Sequence, residues 1–257
     1  MSKIKNIATY VNSEIKANRK FQTLPFHLLP ENIGEAYQAQ YEYHRISDRG
    51  SLGGYKIALS SKVIQELCGI KHPIAGGLFE DEIYQSPHSF SLSGRKNLGI
   101  EFELAVKIGK LINPTAGTFN KKNVKECIEW VAPAFEIIND RNADYSKLCK
   151  LTMIAVNAWN TGVVIGDPIT TWYDLDLDET KATLFWNSEH KICANLMDSD
   201  PFESLAWVIN LMTSHGKTIP AGSIIITGSV LKTRTPNVGD NIKYMIGGQW
   251  KVELCIE

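Results

Sequence analysis

The chain has 257 residues, 44% of them hydrophobic and 21% charged, and its formal net charge is −1. This balance lacks the basic excess that binds nucleic acid or anionic membranes, so we expect no partner of either class. No run approaches the roughly 20 apolar residues of a membrane span, and the start, MSKIKNIATY, lacks the apolar core of a signal peptide. The five cysteines are scattered without a Cys-x-x-Cys motif, which predicts a reducing, cytoplasmic environment and no zinc site.

The first part of the chain, residues 1–72, is predicted to be mostly helical. Apolar residues at helical spacing predict helices over 4–15 and 33–47. A short strand over 55–59 follows, and then a helix that begins with Ser60 or Ser61 as its cap and ends at Gly69.

The second part, residues 73–257, is predicted to be rich in strands and to form one structural unit with the first. Strands are expected over 99–110, 131–140, 161–166 and 223–227, with a polar loop over 141–150 and hairpins at Asn187-Ser188 and Gly247-Gly248. Two capping patterns predict helices over 123–130 and from Asp200 to near Gly216. This order of elements predicts an α+β fold and not a doubly wound parallel sheet.

The stretch GIEFELAVKIGK, residues 99–110, carries two acids on one face of a predicted strand. Residues two apart in a strand share a face, so Glu101 and Glu103 project side by side next to the small Ala105. Two adjacent carboxylates repel unless a positive charge lies between them or one of them is protonated. A divalent cation that prefers oxygen ligands, Mg²⁺ or Mn²⁺, would satisfy this pair, and two solvated acids are the alternative.

A third carboxylate lies in the most apolar part of the next predicted strand. Glu136 is flanked by Phe135 and Ile137, and an isolated buried glutamate is costly unless it is paired or bound to a metal. The three glutamates together predict a metal site with open coordination positions for water or substrate. Pairing of Glu136 with a cation such as Arg141 is the alternative.

Six segments in chain order carry a family pattern, and they are GYKIALSS (54–61), GGLFEDEIY (76–84), IEFELAV (100–106), PAFEII (133–138), SLAWVINLM (204–212) and AGSIIITGS (221–229). Together they resemble the 2-keto-4-pentenoate hydratase and 4-oxalocrotonate decarboxylase group of the fumarylacetoacetate hydrolase superfamily. The resemblance extends from about residue 35 to the end of the chain, and EAYQAQ near the start matches the N-terminal helix of the group.

The resemblance implies a mixed, strongly curled β-roll or barrel-like sheet with a helical N-terminal section. It also implies a divalent Mg²⁺ or Mn²⁺ ion on Glu101, Glu103 and Glu136, a small 2-oxo or 2-hydroxydienoate acid as substrate, and a homo-oligomer. A 2-oxo acid chelates such an ion through a carboxylate and a keto oxygen, and the ion then stabilises an enolate. Each proton step also requires an acid or base near the metal.

The same resemblance supplies candidates for the other roles. Lys56 and Asp81 are the catalytic candidates, although Lys56 could be a surface charge and Asp81 one of three solvated acids. Ser229 is expected to bind the substrate carboxylate, or else to close a turn after a buried strand. The remaining substrate-binding candidates are the apolar pocket residues and one retained amide of the group, which are Leu78, Phe79 and Asn157.

Two departures from the pattern of the group affect what the site accepts. Where the group has Ala-Asp-Asn-Ala-Ser, this chain has Ala155-Val156-Asn157-Ala158-Trp159, and the bulky indole would shrink a pocket. Asp140-Arg141 replaces the usual Ser-Arg.

Three functions therefore remain open: a hydratase of 2-hydroxy-2,4-dienoates, a decarboxylase of 2-oxo-enedioates in which Arg141 could bind the second carboxylate, and a metal-binding, non-catalytic assembly subunit.

Overall fold

The computed structural model describes residues 2–60, 62–95, 97–187 and 189–257. Ser61 and Ser188, which belong to a predicted helix cap and a predicted hairpin turn, lie outside these ranges. In the described residues the helices are α1 (Lys3–Lys16), α2 (Ile33–Ile46), α3 (Lys62–Leu67), α4 (Lys150–Ala155) and α5 (Pro201–Ser214). None of these helices is long and apolar enough to cross a membrane.

The strands follow one another along most of the chain. They are β1 (Leu52–Ala58), β2 (Ile74–Phe79), β3 (Ile83–Gln85), β4 (His88–Phe90), β5 (Leu98–Ile108), β6 (Ile128–Asn139), β7 (Asn160–Ile165), β8 (Lys181–Trp186), β9 (Glu189–Asn195), β10 (Ile224–Ile226), β11 (Asn241–Ile246) and β12 (Trp250–Ile256).

Seven of these strands form one mixed sheet, in the order β2-β1-β10-β5-β6-β7-β3. Its longest pair is β5 with β6, which run antiparallel over 11 registered positions. The sheet curls so far that β2, at one edge, comes back into contact with β7 near the other. The described strands do not close into a barrel, and the predicted α+β fold with a curled mixed sheet is confirmed.

The two faces of the curled sheet have different roles. Phe102 and Phe135 on its outer face pack against Tyr244 of the second sheet, with ring centroids 5.9 and 6.3 Å apart. This second sheet has five strands in the order β4-β12-β11-β8-β9. The inner face carries a separate cluster of small and branched residues, Leu78, Ala105, Ala132, Ala134, Val163, Ile165, Ile224 and Ile226. Because side chains alternate along each strand, a residue next to a core phenylalanine points into the curl.

The helical N-terminal section packs on the edge of the curled sheet. Gln40 on α2 donates from Nε2 to the carbonyl oxygens of Ala75 on β2 (2.9 Å) and Ile154 on α4 (2.7 Å), which ties the three elements together. β1, which lies within this section of the sequence, pairs with both β2 and β10. Gly54 is required there, because a Cβ at this position would lie 1.7 Å from the carbonyl oxygen of Ile224.

One predicted helix is wrong. Residues 123–127 form only a short 3₁₀ helix, and residues 128–130 already belong to β6. Pairing of Trp130 with Lys107, and of Ile128 with Ile108, extends the β5–β6 ladder to this point. Long-range strand pairing here overrides the local capping signal, because Ile and Trp fit a pleated surface well.

Candidate metal and substrate site

The register of β5 and β6 brings the three predicted metal ligands together. Glu101 lies directly opposite Glu136, and Glu103 lies opposite Ala134, so all three carboxylates project from the inner face. One carboxylate oxygen from each residue lies within 4.8 Å of the other two. Glu103 and Glu136 are fully buried, and Glu101 is partly exposed.

Two oxygens of this cluster lack partners in the described residues. Glu103 Oε1 and Glu136 Oε2 are buried without a hydrogen bond, although buried polar atoms are nearly always paired. An ion with a preference for oxygen ligands would satisfy both atoms at once. The donor set and the unsatisfied oxygens therefore fit a hard divalent cation.

Lys56 completes the cluster from β1. Its ammonium group lies 2.7 Å from Glu136 Oε1, and both side chains are almost fully buried. Asn160 Nδ2 donates to the same oxygen at 2.9 Å, which leaves Oε2 of Glu136 for another ligand. The alternative pairing with Arg141 is wrong, because that guanidinium donates instead to the carbonyl oxygens of Glu14 and Arg19.

Each of the other two glutamates is held by one further contact. The backbone N–H of Gly228, which has a φ of +102°, donates to Glu103 Oε2 at 2.8 Å. Thr233 Oγ1 donates to Glu101 Oε1 at 2.8 Å. These contacts hold one oxygen of each carboxylate, and they leave Oε1 of Glu103 without a hydrogen bond among the described residues.

The charges of the cluster favour an added cation. When all are ionised, three carboxylates and one ammonium have a net charge of −2 in a largely buried site. Burial, together with the neighbouring carboxylates, raises the pKa of Glu103 well above its usual value, and burial raises that of Glu136 to about 7. Burial alone would lower the pKa of Lys56, but the charges of Glu136 and Glu101 outweigh it and raise that pKa. Lys56 therefore stays an ammonium, and a divalent ion would neutralise the remainder.

A cavity of about 550 Å³ opens directly beside the cluster. Lys56, Glu101, Glu103 and Ser229 contribute its polar wall, and the Ser229 hydroxyl donates to Leu231 O and accepts from the N–H of Phe102. The rest of the wall is mostly apolar and includes Ile57, Ala58, Leu59, Ile138, Met153, Ala158, Trp159 and Leu231. Such a lining suits a small acid with a charged end and an apolar tail.

Glu136 and Asn157 do not line this cavity among the described residues, and neither do Asp81, Leu78 and Phe79. Asp81 is exposed on a short 3₁₀ helix, Glu80–Glu82, and lies beside Gly50. Leu78 is buried in the apolar cluster on the inner face of the sheet. Phe79 is buried in the main core, where it contacts His44 and Arg49.

Asn157 lies behind the cavity and holds part of its wall. Its amide oxygen accepts from Gly77 N (2.7 Å), and its Nδ2 donates to Gly77 O (2.9 Å). His44 Nε2 donates to the same amide oxygen at 2.8 Å, and burial lowers the pKa of His44 to about 4, so the ring is neutral. Three successive left-handed residues, Asn157 to Trp159, place the indole of Trp159 in the cavity wall.

Two cavity residues, and one residue that supports Glu136, have no signal in the sequence analysis. Tyr145 lies in a segment predicted as a polar loop, yet it lines the cavity and donates a hydrogen bond to Asp140. Lys232 is exposed at the same cavity, in a segment without regular structure. Asn160 follows the left-handed turn, and only its burial beside Glu136 reveals its role.

Comparison with models of protein families identifies the family of the chain. Residues 78–256 match the model of the fumarylacetoacetate (FAA) hydrolase C-terminal family. The chain belongs to the FAA hydrolase C-terminal family. The predicted resemblance is therefore confirmed at the level of the family.

Individual relatives of this FAA hydrolase family member are enzymes. The chain is 26% identical over 230 residues to 2-keto-4-pentenoate hydratase of Paraburkholderia xenovorans, covering 88% of this chain and 84% of the relative. It is 28% identical over 231 residues to 2-oxo-hept-4-ene-1,7-dioate hydratase of Escherichia coli, covering 86% and 85%.

Among solved structures, the fold is similar to that of 4-oxalocrotonate decarboxylase from Pseudomonas putida G7, complexed with magnesium and adipate. The TM-score is 0.88 at 22% identity, over 99% of this chain and 97% of the other. At this identity the match establishes the fold alone.

Proposed function

We propose that this protein is a metal-dependent hydratase of 2-hydroxy-2,4-dienoates. The observation that carries the proposal is the cluster of Glu101, Glu103 and Glu136, whose unpaired oxygens lie beside a cavity of about 550 Å³. The two hydratases among its relatives support the same reaction class.

These three glutamates would hold Mg²⁺ or Mn²⁺. Such an ion, when bound, supplies a Lewis acid for the carboxylate and 2-oxygen of the substrate. Bound to the same cluster, the acid end of the substrate lies next to Lys56.

Lys56 has two roles in this proposal. Its ammonium holds Glu136 in place through Oε1, and it offers a positive charge to the anionic end of the substrate. The apolar wall with Trp159 then positions the tail, and Ser229 lies in the polar wall that faces the acid end. Asp81 has no place in this scheme, because it is exposed outside the described cavity wall.

A decarboxylase of 2-oxo-enedioates is the second candidate, and Lys232 favours it. Such a substrate has a second carboxylate, and Lys232 provides a cation at the cavity that contains the glutamates. The Arg141 side chain, expected for this role from the sequence, instead donates to two backbone carbonyls near α1.

A single pair of assays separates the candidates. Purified protein with Mg²⁺ is incubated with 2-hydroxypenta-2,4-dienoate or with a 2-oxo-enedioate, and products are followed by NMR and by CO₂ release. The proposal predicts a 4-hydroxy-2-oxo acid from the first substrate, and none after treatment with EDTA. CO₂ release from the second substrate alone would favour the decarboxylase. Metal binding without turnover of either substrate would favour a non-catalytic subunit.

A further inference from the structure

Tyr145 lies in the cavity wall, and its hydrogen bond to Asp140 has no role in the scheme above. The Tyr145 hydroxyl donates to Asp140 Oδ2 at 3.1 Å. The other oxygen of Asp140, Oδ1, accepts from Asn97 Nδ2 (2.6 Å) and from the N–H of Asn142 (2.9 Å). Asp140 itself is only 6% exposed, whereas Tyr145 lines the cavity and is 43% exposed to solvent. Asn97 and Asn142 thus hold one oxygen of the Asp140 carboxylate, and the Tyr145 hydroxyl connects the other oxygen to the cavity.

The position of the pair relative to the metal ligands is set by β6. Glu136, Ile138 and Asp140 follow one another at every second residue, and the ladder with β5 is regular up to Asn139. At a rise of roughly 3.3 Å per residue, the Cα atoms of Glu136 and Asp140 are about 13 Å apart. Ile138 lies between them in the cavity wall. A substrate held by its acid end at Glu136 therefore extends its tail over Ile138 toward Tyr145.

The surroundings of Tyr145 keep its phenol neutral. Burial, and then the charges of Asp140 and Glu101, raise its pKa above the usual value. Its ring also contacts Trp159 edge to face, at 5.7 Å between centroids. The hydroxyl is thus held in one orientation, with its proton toward Asp140 and its oxygen lone pairs available to a molecule in the cavity.

We infer that Tyr145, backed by Asp140, accepts the proton of the water that adds to the substrate tail. This inference rests on the proposed hydratase function. Tyr145 touches the reacting water, and Asp140 acts through it.

The step balances with water as the only co-reactant. The water oxygen forms a bond to C4 of the conjugated 2-oxo-3-enoate, and the C3=C4 π pair moves through C2 to the 2-oxygen. The proton of the water passes to the Tyr145 oxygen as the proton of Tyr145 passes to Asp140 Oδ2. The same relay then runs in reverse and delivers the proton to C3, which restores both residues and leaves the 4-hydroxy-2-oxo acid. The phenol never becomes a phenolate, because a proton enters and leaves the same oxygen.

The test is Tyr145→Phe, assayed in D₂O with two readouts. One readout is formation of the 4-hydroxy product, and the other is incorporation of deuterium into the substrate carbons during ketonisation, which needs no added water. We expect hydration to fall about 100-fold or more, which is the usual contribution of a positioned acid or base, while deuterium incorporation stays within threefold. The ring and its contact with Trp159 are unchanged, so folding should be retained.

Two further variants make the result specific. Tyr173→Phe is the matched control, since Tyr173 is 69% exposed and absent from the described cavity wall, and both readouts should equal those of the wild type. Asp140→Asn keeps an oxygen that can accept from Tyr145 but cannot take its proton, so it should lose hydration about as strongly as Tyr145→Phe while deuterium incorporation stays within threefold of the wild type. Hydration by Tyr145→Phe within threefold of the wild type, or an equal loss of both readouts, would overturn the inference. A wild type that forms no hydrated product would instead overturn the proposed function, and the inference with it.

Discussion

Glu101 and Glu136 face each other directly across the β5–β6 pair. Like charges in this cross-strand position destabilise a sheet, and burial of Glu136 increases the cost. Lys56 on β1 offsets part of this cost, because its ammonium group contacts Oε1 of Glu136. Glu136 and Glu103 each have one buried oxygen without a hydrogen bond, and a bound cation would satisfy both oxygens.

Substitution of Glu103 by Gln tests the contribution of a fully buried candidate ligand. The amide keeps an oxygen for the N–H of Gly228, but it removes the charge and places a donor among the other carboxylates. We expect Mn²⁺ affinity, measured by isothermal titration calorimetry, to fall at least tenfold, and metal-dependent turnover to fall about 100-fold.

The control for this variant is Glu129→Gln on β6. Glu129 is exposed and pairs with Lys107 at the surface, so the change removes the same charge outside the site. Its Mn²⁺ affinity should equal that of the wild type. Equal losses in both variants would mean that overall charge, and not the cluster, sets the affinity.

Replacement of Lys56 by Met tests whether the buried ion pair stabilises the fold. Loss of one partner leaves the Glu136 carboxylate uncompensated, which typically costs about 3–5 kcal/mol of unfolding free energy. Urea denaturation at about pH 8 in EDTA measures this loss, and saturating Mg²⁺ should recover part of it.

Lys107→Met provides the surface comparison. Its pair with Glu129 is partly exposed, so the loss should stay below about 1 kcal/mol. If Lys56→Met costs no more than Lys107→Met, the buried pair does not have the role described.

The pH dependence of metal stabilisation follows from the raised pKa values. Glu103 and Glu136 hold protons more tightly in the folded than in the unfolded protein, for which the reference pKa is 4.5. The contribution of both acids to the stability of the metal-free protein is therefore full below about pH 4.5. The part due to Glu136 is lost as the pH rises through about 7, and the part due to Glu103 is lost as the pH rises through its own raised pKa. Cation binding requires the ionised forms, so it releases protons and strengthens over the same range.

Thermal unfolding with EDTA or with Mn²⁺, at about pH 5.5 and about pH 8, measures this effect. The rise in Tm caused by Mn²⁺ should be larger at the higher pH. In Glu103→Gln the dependence on pH should be weaker, because one of the two titrating acids is gone. A larger rise at the lower pH would contradict the assignment of these carboxylates as ligands.

The three candidate metal ligands could be predicted from the sequence because strand alternation defines their faces. Glu101 and Glu103 share a face at a spacing of two, and Glu136 is conspicuous as an acid among apolar residues. Lys56 was predicted only from the family resemblance, because nothing in GYKIALSS reveals that β1 pairs in parallel with β10. The helix predicted over 123–130 failed for a related reason, because pairing with β5 is not visible locally.

Other parts of the site depend on contacts between segments far apart in the chain. Asn157 was expected to bind substrate, yet it hydrogen-bonds Gly77 and His44, 80 and 113 residues away. Tyr145 looked like part of a solvated loop, and its pairing with Asp140 depends on how that loop folds over Trp159. Residue types alone do not specify such contacts.

Trp159→Ser tests whether the indole limits the substrate tail. Trp159 lines the cavity and packs edge to face on Phe21, at 5.2 Å between centroids. Removal of the ring enlarges the cavity and should lower KM for substrates with bulkier tails about tenfold relative to the five-carbon dienoate. The same variant should lose about 3 kcal/mol of stability, because a large buried ring is removed.

Steady-state kinetics with a series of tail lengths, corrected for folded fraction, provides the measurement. Tyr173→Phe, which changes an exposed ring, should leave the order of preference unchanged. If the order of substrate preference is unaltered in Trp159→Ser, another part of the cavity wall limits the length of the substrate tail.

The most direct test of the metal site is a crystal structure with Mn²⁺ and oxalate, which mimics the chelating end of a 2-oxo acid. We predict a single anomalous peak about 2.1–2.2 Å from one oxygen each of Glu101, Glu103 and Glu136, with oxalate completing its coordination next to Lys56. A cluster left without Mn²⁺ at saturating concentration, or Mn²⁺ bound at other residues, would contradict the account.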